Sequence, residues 1–90
     1  MLPAIRLGAT TVETVTDESA SFTQSRPWTQ VMVRANVAVC LKTGSTATED
    51  DFYLKEDTYL AVELTEGETL HYILATGESD GEIRITTIAY

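Results

Sequence analysis

One cysteine and one histidine leave this chain without most of the chemistry that small domains use. A single thiol excludes an intrachain disulfide framework. One thiol and one imidazole fall short of the four ligands a zinc site needs, and no cofactor is expected. Bases are also scarce: six Lys and Arg stand against 14 Asp and Glu, a formal net charge of −8. A nucleic-acid-binding domain needs a basic footprint to replace phosphate counterions, so nucleic acid is excluded as a partner. Long apolar runs are missing too. The longest candidate, residues 31–41, contains Arg34 and Asn36 and stays far below the roughly 20 residues of a membrane-spanning helix. The first eight residues (MLPAIRLG) have no basic stretch followed by an apolar one, so no signal peptide and no membrane partner are expected. The five glycines are scattered and form neither G-x-G-x-x-G nor a phosphate loop, and neither G-x-S-x-G nor H-E-x-x-H occurs. The expectation is a chain that is not an enzyme.

What the chain does have is β-branched residues. Fifteen of its 90 residues are threonine, and 43% are hydrophobic. Side chains stiff at χ1 favour the pleated strand over the helix. No long segment repeats apolar residues at helical spacing, whereas turn chemistry recurs at Thr43-Gly44-Ser45, Lys55-Glu56-Asp57, Glu66-Gly67 and Ser79-Asp80-Gly81. The length permits one domain without linker or repeat. The pattern predicts a single all-β domain over residues 1–90. It is an antiparallel β-sandwich or jelly-roll-like barrel of about seven or eight strands, ending in a C-terminal meander.

Strands are expected at Ala9–Thr16, Ala20–Gln24, Phe52–Leu54, Asp57–Thr65, Thr69–Thr76 and Glu82–Ala89. Asp17-Glu18-Ser19 reads as a turn joining the first two. Leu60, Val62 and Leu64 share one face of their strand, and Ile83 and Ile85 oppose Arg84 and Thr86. Thr69–Thr76 is apolar on both faces, as a central strand would be. Asp80-Gly81 is a strong hairpin signal. Residues 29–42 are too long for an ordinary strand. They bend at Ala35-Asn36, cross between sheets, or form two strands. Residues 43–51 read as a polar loop.

Charge divides along the chain. Residues 1–42 carry three acids and four bases, a net of +1; residues 43–90 carry eleven acids and two bases, a net of −9. A docking surface is therefore sought in the first 42 residues, provided the fold keeps the halves apart. Arg26, Trp28, Met32 and Arg34 are the interface candidates there, because Arg and Trp are enriched at binding hot spots. Pro27 suits an edge or loop, so Trp28 either plugs one end of the sandwich or anchors a partner. Leu2 and Ile5, with Leu7, make residues 1–8 a candidate arm that reorders on a neighbour. Tyr53, Tyr59 and Tyr72 read as core or cross-strand packing. His71 reads as a packed sheet residue, and a Cys40–His71 nucleophilic pair is the remote alternative. Glu49-Asp50-Asp51, with Glu56-Asp57 behind it, reads as a solvated acidic loop. Its spacing is not that of a calcium-binding EF-hand loop.

The C-terminal run resembles a known class. DTYLAVEL, then EGETLHYILA, then GEIRIT is similar to small β-rich virion proteins of tailed bacteriophages, of the capsid decoration or cement type. The resemblance implies a structural virion protein, made in the host cytoplasm, that binds and stabilises the lattice of the major capsid protein. It further implies a homo-oligomer or a symmetric array on the shell. A tail, neck or fibre-attachment component is the alternative. A carbohydrate-binding module stacking sugar on Trp28 is the alternative from another class.

Overall fold

The computed structural model describes residues 4–89. The candidates Leu2 and Met1–Pro3 of the arm lie outside them. Eight strands follow in order: β1 (Arg6–Val15), β2 (Ala20–Thr23), β3 (Gln30–Ala35), β4 (Val39–Thr43), β5 (Phe52–Leu54), β6 (Leu60–Glu63), β7 (Thr69–Leu74) and β8 (Gly81–Ala89). They form two four-stranded sheets, ordered β1-β8-β3-β6 and β2-β7-β4-β5. All pairings are antiparallel.

The pairing is nested. β1 takes β8, β2 takes β7, β3 takes β6 and β4 takes β5. The chain is thus one long hairpin, closed at β4–β5 and rolled so that β3 also meets β8 and β4 meets β7. This is jelly-roll connectivity, and the expected β-sandwich is what the chain adopts.

The long segment 29–42 resolves into β3 and β4, one in each sheet. Hydrogen bonds from Asn36 and Ala38 tie the corner down. The Asn36 N–H donates to the Glu82 carbonyl (3.1 Å), while Asn36 Oδ1 accepts from the Glu82 N–H (2.9 Å). The Ala38 N–H donates to the Glu78 carboxylate (2.9 Å). Buried corners persist only when such groups find partners.

Four expectations are corrected. The last three strands are not a meander: β6 lies in the first sheet, β7 in the second, β8 in the first. The turn after β6 is an arch, tied to the β2–β3 loop by Gly67 N–H to Gln24 C=O (2.7 Å) and Gln24 N–H to Glu68 C=O (2.9 Å). Gly67 takes a positive φ in this arch, 89°. Donation from the Thr65 hydroxyl and N–H holds the Glu68 carboxyl below its ordinary value. Asp80-Gly81 likewise makes no hairpin. Gly81 is there because the corner packs on it: a Cβ at Gly81 would lie 2.7 Å from Val37 Cγ2. Nor do Ala9–Thr16 and Ala20–Gln24 pair with each other, since β1 and β2 belong to different sheets. Finally, Arg6–Gly8 is not a free arm; Arg6 and Leu7 pair with Ala89 and Ile88.

The core lies between the sheets. Val31, Val33, Ala35, Ile83 and Ile85 face Val39, Leu41, Leu54, Leu70, Tyr72 and Leu74. Alternation produces this directly, because β3 and β7 each bury every second residue. A second, smaller cluster of Ala38, Cys40 and Ala75 sits on the outer face of the second sheet with Ile73. The 44–51 loop folds against it, through Cys40 Sγ to the Glu49 carbonyl (3.5 Å) and the Ala47 N–H to Ser19 Oγ (3.1 Å).

Nested pairing also undoes the charge argument. Each half of the sequence supplies two strands to each sheet, so the +1 and −9 halves interleave and make no separate surfaces.

Candidate partner-binding site on the first sheet

The outer face of the first sheet brings two arginines together. Arg34 on β3 and Arg84 on β8 are direct cross-strand partners. Like charges set opposite each other on a sheet destabilise it, so the pairing is a cost to the isolated fold. Arg34 is held. Its Nη2 donates to Asp57 Oδ1 at 2.7 Å, and its guanidinium carbon sits 5.6 Å from the centroid of the Tyr59 ring. Asp57 reaches this position in the left-handed region, at φ 56°, anchored by its N–H on the Ala35 carbonyl (2.8 Å). Asp tolerates that region better than most residues but at some strain. Arg34–Asp57 is the one ion pair among the described residues, so Arg84 makes none there.

These contacts add little stability. A half-exposed ion pair contributes about 0–1 kcal/mol and an exposed cation–π contact about 0.5–1 kcal/mol. Their effect is to fix the direction of a guanidinium fork in advance, which lowers the ordering cost of a later contact. Around the fork lies a concavity of about 230 Å³, lined by Thr10, Met32, Arg34, Tyr59, Arg84 and Thr86. Thr10 and Thr86 share a hydroxyl hydrogen bond of 2.8 Å on its floor. A shallower hollow of about 110 Å³ continues past Asn36 and Glu82. Arg, Tyr and Met are the residue types enriched at interface cores.

Two sequence candidates, Met32 and Arg34, belong to this site. The others do not. Arg26 and Trp28 lie in the loop before β3; six residues separate Trp28 from Arg34, about 20 Å at about 3.3 Å per strand residue. Trp28 is half-buried, and its ring packs over Gly8, where a Cβ would lie 2.7 Å from Cζ3. That placement matches the plugging alternative. Ile5 is exposed (42%) just before β1. Sequence reasoning missed Arg84, Asp57 and Tyr59. Tyr72 is buried as expected, but Tyr59 and Tyr53 are exposed. Arg84 was legible as outward-facing; its juxtaposition with Arg34 depends on a pairing fifty residues distant.

The remaining candidates are held in structural contacts. Cys40 and His71 are diagonal neighbours on β4 and β7, since Cys40 opposes Ile73 and Lys42 opposes His71. Cys40 is buried, and burial first, then Asp51, Glu49 and Asp50, push its thiol above the ordinary value. A nucleophilic cysteine needs the opposite shift. His71 Nε2 is hydrogen-bonded to Thr69 Oγ1 (3.0 Å). The Asp51 carboxylate is engaged by the Thr48 N–H (2.7 Å) and hydroxyl (3.1 Å). Among the described residues, no three His, Cys, Asp or Glu side chains converge as metal ligands would. The exposed aromatics share no plane. Tyr59 flanks Arg34, Phe52 opposes inward-facing Leu41, and Tyr53 opposes outward-facing Cys40.

The Cys40 environment sets a pH dependence. A thiol whose folded pKa is raised adds stability that is complete below the unfolded value, about 9, and is lost as pH rises through the folded one. Native protein is expected to resist alkylation at about pH 8, and denatured protein to react at once. Stability should fall in alkali, and the fall should be smaller in Cys40→Ala. Iodoacetamide labelling read by mass spectrometry, with chemical denaturation across pH, checks both.

No family model matches the chain, and no curated protein or solved structure matches it.

Proposed function

We propose that this chain is a structural, non-enzymatic virion protein that decorates a capsid, docking on the major capsid protein through Met32, Arg34, Tyr59 and Arg84. The observation that carries the reading is the Arg34–Arg84 pair. An acidic chain with six bases sets two of them side by side on an open sheet face, and orients one with Asp57 and Tyr59. The isolated fold loses by this arrangement, and a partner carboxylate would gain from it. The C-terminal resemblance supplies the virion context. Jelly-roll connectivity is consistent with it, being shared by viral capsid domains as well as lectins; that is analogy at the level of fold. Binding many identical sites would stabilise the assembled shell by mass action.

Copy number in purified particles tests the reading. Decoration requires a number near that of the major capsid protein; a few copies per particle would favour a tail, neck or fibre-attachment component. Arg84→Glu is expected to weaken shell binding about 30-fold or more, as the loss of a hot-spot residue does. Arg26→Glu, at the far end of the sheet, should change it little. Equal occupancy by wild type and Arg84→Glu would overturn the assignment of this face.

A further inference from the structure

Among the described residues four strand edges close no hydrogen-bond ladder, and one differs from the rest. β2, β5 and β6 are four, three and four residues long, and short edges are poor templates for another strand. β1 is ten residues long and pairs only with β8. It contains no proline and two charges, Arg6 and Glu13. Leu7 (69%) and Val12 (48%) are exposed on it. Such an edge is a ready template for β-addition.

We infer that β1 pairs antiparallel with β1 of a second copy, in the register that sets Leu7 opposite Val12. In that register Arg6 stands opposite Glu13, and two-fold symmetry makes each pair occur twice. The side chains agree in face because of an irregularity already present. The β1–β8 register shifts between Leu7 and Thr10. Leu7 therefore opposes Ile88 and shares the outer face with Val12, which opposes Arg84. Arg6 and Glu13 share the inner face, opposing Ala89 and Ile83. In an unbroken strand, positions five apart would lie on opposite faces and this register would fail. A shift of two residues either way sets Leu7 against Thr10 or Thr14 and leaves Arg6 and Glu13 unmatched. The second copy is thus specified by charge, apolar contact and face together. The resulting eight-stranded sheet would carry both Arg34–Arg84 concavities on one surface, one on each side of the axis. The inference stands on the edge of β1 and does not depend on what those concavities bind.

Sedimentation equilibrium of the whole chain tests it. A concentration-dependent dimer is expected. Glu13→Arg should weaken it about tenfold, by setting like charges opposite each other twice. The charge-swapped pair Arg6→Glu with Glu13→Arg should restore it. Oxidising a Leu7→Cys, Val12→Cys double variant should give a disulfide-linked dimer, and Cys40, 1% exposed, would not compete. A wild type that stays monomeric at about millimolar concentration would overturn the inference. So would a dimer indifferent to charge reversal and charge swap.

Discussion

Ile85→Asp is expected to leave the chain unfolded, whereas Val62→Asp is expected to leave it folded and weakened. Ile85 is 0% exposed on β8, which is hydrogen-bonded to strands on both sides, and its inward neighbour on β3 is Val33. A carboxylate there would lie in the apolar core, with Thr11 its cross-strand neighbour on β1. Burying an unpartnered charge costs several kcal/mol even after the group neutralises by taking a proton. A domain of this size holds about 5–10 kcal/mol in all. Val62 has the same alternation but a different position. It lies on edge strand β6, half-buried, beside a cavity of about 230 Å³ that opens between the sheets and is lined also by Lys42, Phe52 and Leu70. An aspartate at 62 can turn towards water. Far-UV circular dichroism and urea unfolding followed by Trp28 emission distinguish the two. A cooperative, soluble Ile85→Asp would mean that the inner face of β8 is misassigned.

That contrast marks how far local sequence carries. Alternation identifies inward-facing Ile83 and Ile85 of β8 correctly, because one buried face with period two is a local property, whereas Thr69–Thr76 reads as apolar on both faces and β7 fully buries only every second residue. It cannot distinguish a central from an edge strand, so Val62 and Ile85 look alike. It is silent on partners, too. Three consecutive strands with good turns read as a meander, yet β6, β7 and β8 alternate between sheets. The deciding interactions are the backbone bonds of Gln24 to Gly67 and Glu68 and the Asn36–Glu82 clamp, each joining residues more than forty positions apart. Asn36 and Gly81 look like turn residues and serve instead as a corner and the space it packs into.

The site obeys the same rule. Met32 and Arg34 were legible because their residue types and outward parity belong to one strand. Arg84 and Tyr59 come from elements that adjoin β3 only after the long hairpin rolls up. The sequence split into +1 and −9 halves pointed to the first 42 residues, and the fold answers by joining one arginine from each half. Composition sets an expectation about partners; register decides which side chains share a surface.

Gly8→Val is the second large effect expected. Gly8 lies where the β1–β8 register shifts, and Thr87 and Trp28 occupy the space a side chain would need. A Cβ there would meet the Thr87 hydroxyl first, which must rotate away, and would sit 2.7 Å from Trp28 Cζ3 and 3.1 Å from the Thr87 carbonyl oxygen. That oxygen belongs to a strand bonded on both sides and cannot retreat, so the indole must leave its seat. Overpacking of this kind costs about 1–3 kcal/mol, and a β-branched residue belongs at the upper end. Trp28 emission should shift to the red as the ring gains water, with a matching fall in the urea midpoint. Gly67→Ala is the control: its φ of 89° strains a Cβ, but nothing lies within reach of one, so its cost stays local and Trp28 is undisturbed. If the clash with the ring is the cause, Trp28→Leu should offset part of the Gly8→Val loss, giving a coupling well outside the few tenths of a kcal/mol expected of independent sites. Strict additivity of the two substitutions would instead place the cost on the Thr87 side chain or in the backbone of the bulge.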